Sequence, residues 1–183
     1  LTWVRLDPAS NDYAGSMVTY APPGQTPLLY TLGSNSSSGG CEATASLSLT
    51  RFDPTGRTRL ISQTCVSHEC GVPPCADTYY RQLVSFDADG AGPDPARLVL
   101  LGTFESVLGT TAHNIASFDG ISWSEFAGGG IDGATRLFVL RDPTTGRPSL
   151  YASGNNVTVG GLSAPKLARY DATGWTAIPL GLS

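Results

Sequence analysis

Four cysteines and two histidines are the residues of this chain best suited to metal or redox chemistry. Cys65, Cys70 and Cys75 stand five residues apart, with His68 among them and Cys41 upstream. Zinc accepts such ligands, but structural zinc sites usually carry tight Cys-x2–4-Cys pairs, and this spacing would leave one thiol over. An even number of cysteines in and around an irregular segment is more typical of disulfides. We predict two disulfides and no metal; three connectivities are open, and we expect one bond to join Cys41 to the downstream group.

Catalytic groups are scarce in this chain. His68 belongs to the cysteine segment, and we expect His113, which opens an apolar run, to cap a strand rather than act as a base. The chain has no Gly-x-Ser-x-Gly elbow and no His-Glu-x-x-His motif. Asp53, Asp119 and Asp171 each open a turn, where an Asp carboxylate binds backbone amides two residues on. Because these aspartates recur with a repeat, we attribute them to the fold and predict no catalytic residue and no cofactor.

Other short motifs suit a modification or a cation. Asn35 and Asn156 each begin an Asn-x-Ser/Thr sequence, the acceptor for N-glycosylation, and we expect both to lie in loops on one face. Asp87, Asp89 and Asp94 supply carboxylates within one short loop, as calcium-binding loops do. The equivalent loops elsewhere in the chain hold few carboxylates. We therefore interpret these aspartates as turn residues.

A repeated hairpin pattern organises these residues. An apolar run, an Asp at a turn and a Trp four residues later occur twice, and an upstream copy has Arg57 at the Trp position. The signature residues of the copies are Asp53, Asp119, Trp123, Asp171 and Trp175. Gly102 and Gly154, which end other apolar runs, each stand 17 residues before the Asp of their copy. This equal spacing indicates an internal repeat.

Each repeat holds four short apolar runs between turns rich in Pro and Gly, which predicts four antiparallel strands. This arrangement is typical of a β-propeller blade. We predict an all-β fold of three complete blades plus one N-terminal outer strand. The predicted segments are 1–14 for that outer strand and a linker, 15–62 for blade one, 63–80 for a cysteine-rich insertion, 81–133 for blade two and 134–183 for blade three. A two-sheet sandwich also uses short strands, but it gives no reason for the repeated Asp-x-x-x-Trp.

The apolar runs carry hydrophobic residues on both faces. Side chains alternate along a strand, so Ala116 and Phe118 share one face while Ile115 lies on the other. A lone sheet with one face in water would be polar on that side. We therefore expect stacked blades that bury both faces of such strands.

The composition excludes some classes of protein. A net charge of −4 argues against nucleic-acid binding, which requires basic patches that displace counterions. The chain has no run of 18 apolar residues, so we predict no membrane span. A charged fraction of 14%, many Ser, Thr and Gly residues and the predicted disulfides favour an extracellular or cell-surface location.

With the repeat laid out, the chain resembles kelch-like extracellular β-propellers, in particular secreted bacterial and fungal cell-surface propeller repeats. The residues that carry the resemblance are Gly102-Thr103-Phe104, Asn114-Ile115-Ala116-Ser117-Phe118-Asp119-Gly120 and Trp123. The match covers blade two well, blade three with Asn155 and Lys166 as departures, and blade one poorly. The motif specifies a fold rather than an activity. The resemblance therefore implies a surface or secreted binding scaffold without catalytic residues.

The sequence favours a non-enzymatic extracellular structural or adhesive module that presents its disulfide-stapled loop face for binding. The first alternative is a carbohydrate-binding, lectin-like propeller completed by oligomerisation. Its sites would lie between blades, with contacts from exposed aromatics such as Tyr79 and Tyr80. The second alternative is a fragment of a larger propeller enzyme. The expected partners are other blades of the same protein or further copies of the chain, together with glycans or a cell-surface protein.

Overall fold

The computed structural model describes residues 13–39, 42–67, 79–90, 92–127 and 129–179. Every regular element in these ranges is a β-strand, and all the strand pairs are antiparallel. The predicted all-β class is therefore confirmed. The predicted N-terminal outer strand falls on residues outside the described ranges. Within those ranges, no helix is long and apolar enough to cross a membrane.

The described residues form fifteen strands, most of them in three main sheets. Sheet 1 contains β1 (Tyr13–Tyr20), β2 (Leu28–Gly39), β3 (Glu42–Asp53) and β4 (Gly56–Ser67). Sheet 2 contains β5 (Tyr79–Phe86), β6 (Arg97–Thr103), β9 (Ile115–Phe118) and β10 (Trp123–Glu125). Sheet 3 contains β11 (Ile131–Arg141), β12 (Pro148–Val159), β14 (Leu167–Asp171) and β15 (Gly174–Ala177). The short strands β7 (Ser106–Val107) and β8 (Thr110–Thr111) pair together, and β13 (Leu162–Ala164) pairs with β12.

The four main strands of each sheet lie side by side in chain order, so each sheet is an antiparallel meander. This confirms the four predicted strands of each repeat. The sequence does not predict β7, β8 and β13, because runs of two or three residues are too short to show a periodic pattern. These short strands lie in the connections between the second and third main strands of sheets 2 and 3.

Three strands of sheet 1, β2, β3 and β4, are longer than the apolar pattern predicts. β2 continues through the Ser/Gly run to Gly39 and pairs with β3 as far as Glu42. β4 continues to Ser67, five residues into the segment that we expected to be an irregular insertion. In these extensions the ladder with β3 satisfies the backbone N–H and C=O groups, which stabilises them.

Sheet 2 is covered on both faces. In β6, Leu98 and Leu100 pack in a core shared with sheet 1, whereas Val99 and Leu101 pack in a core shared with sheet 3. All four side chains are fully buried. Burial of each contributes about 1.5–3 kcal/mol to folding. The expectation that apolar strands bury both faces is confirmed for sheet 2, whereas Met17 in sheet 1 and Phe138 and Leu140 in sheet 3 are exposed.

The first strand of each sheet contains a bulge at an equivalent place in its pairing with the second strand. The residue that follows the bulge is Ser16 in β1, Gln82 in β5 and Arg136 in β11. The Ser16 hydroxyl accepts a hydrogen bond from the Leu83 amide at 3.1 Å. The Gln82 side chain donates to the Leu137 carbonyl at 2.9 Å and accepts from the Leu137 amide at 2.8 Å. Side chains therefore replace a backbone ladder between β1 and β5 and between β5 and β11.

Candidate functional site

Most of the cysteine segment lies outside the described residues. Outside the described ranges are Cys41, His68, Cys70 and Cys75. Cys65 lies in β4, and only its backbone is described. The two disulfides therefore stay a prediction, and the less favoured zinc alternative also falls on residues outside the described ranges. Within the described ranges, no three His, Cys, Asp or Glu residues are grouped so that they could hold a metal ion.

The aromatic residues predicted as ligand contacts lie in β5 rather than in a loop. Tyr80 is 6% exposed and packs edge-on against Phe104, with ring centroids 5.6 Å apart. The expectation of an exposed Tyr80 is wrong, because β5 turns this side chain into the core between sheets 1 and 2. For Tyr79 the structure describes the backbone alone.

The two predicted glycosylation sites also lie in strands. Asn35 pairs with Ser46 in the ladder between β2 and β3. Asn156 lies in β12, exposed, with a φ of 52°, and its amide donates to the Pro165 carbonyl at 2.9 Å. Asn tolerates this left-handed conformation better than most residues. The expectation that both asparagines lie in loops is wrong, and their glycosylation stays a prediction.

The repeat aspartates close the turns between third and fourth strands, as predicted. Asp53, Asp119 and Asp171 each accept a hydrogen bond from the amide two residues on, at 2.8–2.9 Å. Threonine hydroxyls and then amides lower the pKa of Asp53 and Asp171, and backbone amides lower the pKa of Asp119. Asp53 and Asp171 also contact the arginine two residues earlier, so each of these carboxylates binds groups of its own hairpin.

Both repeat tryptophans pack against the preceding sheet. Trp123 of sheet 2 is buried in the core shared with sheet 1, with its ring centroid 5.1 Å from that of Phe118. Trp175 of sheet 3 contacts Phe126 in the core shared with sheet 2, and its Nε1 donates to the Ala127 carbonyl at 3.3 Å. Equivalent positions of the repeat thus lie in the cores of both sheet junctions.

A cleft of about 340 Å³ opens between sheets 2 and 3. Three charged residues line it, Asp94 from the loop between β5 and β6, Arg97 at the start of β6 and Glu125 at the end of β10. Among the described residues, no hydrogen bond or ion pair is recorded for these three side chains, although the Arg97 charge acts on Asp119 and on Tyr20. Ser117 and Ser124 also line the cleft, with their hydroxyl oxygens 2.9 Å apart. The cleft therefore combines unused donors and acceptors in a volume that suits a small ligand.

Aromatic rings form the apolar wall of this cleft. The ring of Tyr170 packs edge-on against Phe126 at 5.0 Å and against Phe86 at 6.0 Å. Burial, and then the charge of Asp171, raises the pKa of Tyr170. Its hydroxyl therefore stays protonated at neutral pH and can donate a hydrogen bond.

The loop beside the cleft is held by its own carboxylates. Asp87 accepts a hydrogen bond from the Gly90 amide at 2.9 Å, and Asp89 accepts one from the Asp94 amide at 3.0 Å. Burial, and then a hydrogen bond with Asp89, raises the pKa of Asp87. These contacts support our interpretation of Asp87 and Asp89 as turn residues, and they fix the loop that carries Asp94, which takes part through its backbone amide.

A second polar cluster joins sheets 2 and 3 at His113. Its Nδ1 lies 2.9 Å from Glu105 Oε1, and its Nε2 lies 2.9 Å from Asp132 Oδ1. The His113 carbonyl accepts a hydrogen bond from the Ile131 amide at 3.0 Å. Hydrogen bonds to Asp132 and Glu105 raise the pKa of His113. Both ring nitrogens are engaged, so this cluster ties β11 to sheet 2 and offers no free base.

Comparison of the chain with protein-family models, with curated proteins and with solved structures finds no match. A function must therefore be argued from the geometry of the chain itself. The sequence did not predict the cleft or the His113 cluster, because their residues come from separate segments and follow no motif. The signal that was present is a charged residue bordering an apolar strand, Arg97 at the start of β6 and Glu125 at the end of β10.

Proposed function

We propose that the chain is a non-enzymatic structural or adhesive module of the β-propeller type that works outside the cell. Its three main sheets would be three blades. The observation that carries this proposal is the burial of both faces of sheet 2 between meanders of the same topology. Propeller blades are four-stranded antiparallel sheets arranged radially around a central channel. The resemblance to kelch-like cell-surface repeats supports the same proposal.

Equivalent contacts at the two sheet junctions support a propeller over a sandwich. Ser16 and Gln82 link first strands at both junctions, and Trp123 and Trp175 pack on the preceding sheet at both. Each sheet of a sandwich packs one face on its partner, which would leave one face of sheet 2 open. A stack of repeated units accounts for both observations.

An adhesion assay tests the proposed function. Beads coated with the whole chain are washed over a glycoprotein layer, a polysaccharide layer and a bare surface. We expect retention on at least one coated layer above that of beads carrying heat-unfolded chain. Equal retention of both kinds of bead on every layer would contradict an adhesive role.

The oxidation state of the four cysteines tests the proposed extracellular location. The predicted disulfides of Cys41, Cys65, Cys70 and Cys75 would persist outside the cell and be reduced in the cytosol. We expect alkylation of the denatured chain to modify no cysteine without a reductant and all four with one. Intact mass spectrometry measures both results. Alkylation in the absence of reductant would contradict this prediction.

The cleft between sheets 2 and 3 favours a second candidate function, the binding of a neutral carbohydrate. Arg97 only donates hydrogen bonds, Asp94 and Glu125 only accept them, and sugar hydroxyls do both. The rings of Phe126 and Tyr170 offer the apolar wall that ligand sites combine with a few polar groups. One positive and two negative residues line the cleft, which disfavours an anionic ligand.

Calorimetric titration with D-glucose, D-galactose, D-mannose, L-fucose and N-acetyl-D-glucosamine tests this second function. We expect at least one sugar to bind, and Arg97→Ala to weaken it about tenfold or more through the loss of a charged hydrogen-bond donor. Arg141→Ala, which changes an exposed arginine outside the cleft lining, is the matched control and should leave the affinity unchanged. Binding of no sugar, or binding that Arg97→Ala leaves unchanged, would contradict it.

A further inference from the structure

Three positions of the first strand make the contact between successive sheets inside this chain. At the first position, after the bulge, Ser16 and Gln82 bind the backbone of the next first strand. At the second and third positions, two and four residues further on, hydrophobic side chains pack into the core shared with the next sheet. They are Val18 and Tyr20 in β1, and Val84 and Phe86 in β5.

The same three positions in β11 are Arg136, Phe138 and Leu140. The register follows from the bulge, which starts opposite an equivalent glycine in each sheet. The pairs are Ala14 with Gly33, Tyr80 with Gly102 and Ala134 with Gly154. Phe138 is 45% exposed and Leu140 57% exposed, and the Arg136 guanidinium donates to the carbonyl of its neighbour Thr135. Sheet 3 thus carries the contact residues of a sheet junction, and no described sheet packs against them.

Sheet 1 has, on its first strand, the position that packs against the preceding sheet in sheets 2 and 3. Leu83 and Leu137, which follow Gln82 and Arg136, are buried in the core shared with the preceding sheet. The equivalent residue of β1 is Met17, and it is 62% exposed. The outward face of β1 therefore has the position that receives a preceding sheet, with its apolar side chain in solvent.

We propose that these two faces bind each other in two copies of the chain. Arg136, Phe138 and Leu140 of one copy would contact β1 of a second copy around Met17, with the Arg136 side chain donating to the backbone carbonyl there as Gln82 does at Leu137. This inference rests on the proposed stack of blades and identifies a second copy of the chain as the binding partner. Because the two faces differ, the contact is head to tail, and it closes a ring or extends the stack.

Light scattering on a sizing column, with the whole chain at several concentrations, tests this contact. We expect multimers of whole chains for the unmodified protein. The double variant Phe138→Ser with Leu140→Ser removes one face, Met17→Arg blocks the other, and each should be monomeric. Ile121→Ser, which changes an apolar residue 91% exposed at the turn between β9 and β10, is the matched control and should keep the multimers. Near-ultraviolet circular dichroism checks that every variant is folded.

Mixing the two disrupted variants makes the test specific. Met17→Arg leaves the sheet 3 face intact, and the double variant leaves the sheet 1 face intact, so the mixture should form a one-to-one dimer that cannot grow. A monomeric unmodified chain, a mixture that stays monomeric, or multimers that survive Met17→Arg would each overturn the inference. If the unmodified chain forms multimers but its beads are not retained in the adhesion assay, the proposed function fails while this inference stands. The failure of one proposal can therefore be distinguished from the failure of the other.

Discussion

At the scale of single residues, protonation of His113 strengthens its contacts with Glu105 and Asp132 and so stabilises the packing of β11 against sheet 2. Contacts of 2.9 Å to Asp132 and then to Glu105 favour the imidazolium and raise the pKa of His113 above its usual 6.5. The folded chain therefore binds this proton more tightly than the unfolded chain. The resulting stability is fully present below the unfolded pKa and is lost as the pH rises through the folded pKa.

We expect the free energy of unfolding to fall by about 1 kcal/mol or less between about pH 6 and pH 8, because the side chains are partly exposed and the charges are screened. His113→Gln should remove this dependence. His68→Gln, which changes the other histidine of the chain, should keep it. Urea unfolding at a series of pH values makes the measurement, and a dependence that survives His113→Gln would contradict the assignment.

Asp119 provides a second prediction at this scale, on the turn between β9 and β10. Its Oδ1 accepts hydrogen bonds from the amides of Ile121 and Ser122, both at 2.8 Å. Asp119→Ala should lower the free energy of unfolding by about 1–2 kcal/mol, because two bonds to a charged acceptor are lost. Asp119→Asn keeps a side-chain carbonyl and should cost less. Urea unfolding compares the two variants, and a larger loss for Asp119→Asn would argue against the hydrogen bonds as the cause.

The two residues differ in how far the sequence predicts their roles. The partners of Asp119 lie two and three residues on, so the turn motif alone predicts its contacts. The partners of His113 lie in other segments, and the folding of β11 against sheet 2 is what brings Asp132 to the imidazole ring. Gln82 is a similar case, because an amide that substitutes for a backbone ladder follows no local pattern.

At the scale of elements, the turn between β9 and β10 lies against the loop between β1 and β2. Gly120 in this turn has a φ of 103°, which residues with a Cβ rarely adopt. A Cβ added to Gly120 would also lie 2.7 Å from the Cβ of Pro22. The backbone conformation and the neighbouring loop therefore both require glycine here.

Gly120→Ala should lower the free energy of unfolding by about 2–3 kcal/mol, since backbone strain and the clash with Pro22 add together. Gly146→Ala is the matched control. Gly146 has a φ of 68°, but an added Cβ would meet no atom within 4 Å, so strain of about 1 kcal/mol is expected there. Urea unfolding of both variants makes the comparison. Equal losses would show that Pro22 moves away without cost.

The main strands could be predicted because each combines an apolar run with flanking turn residues. The extension of β2 could not, because a run of Ser and Gly has no strand propensity and is held by pairing with β3. The burial of Tyr80 was missed for a related reason. An aromatic beside a cysteine-rich segment resembles a loop residue in the sequence, and the start of β5 at Tyr79 is what turns it inward.

At the scale of the whole molecule, sheet 2 is common to both cores. Leu100 packs in the core that holds Trp123, and Leu101 packs in the core that holds Trp175. The repeat predicted this stacking, since strands apolar on both faces need a cover on each. The repeat could not show which faces lie in solvent, because Phe138 and Leu140 have the same apolar character as Val84 and Phe86.

Because β6 contributes to both cores, the three sheets should unfold together. Leu101→Ala should lower the free energy of unfolding by about 2–5 kcal/mol through lost burial and a cavity. Fluorescence of variants that keep only Trp123 or only Trp175 follows the two cores separately. We expect Leu101→Ala to shift both midpoints equally, and Ile121→Ala, at an exposed turn position, to shift neither. A shift confined to Trp175 would mean that sheet 3 unfolds alone, as weakly coupled units of a repeat protein do. Sheet 2 would then cover two cores without coupling them.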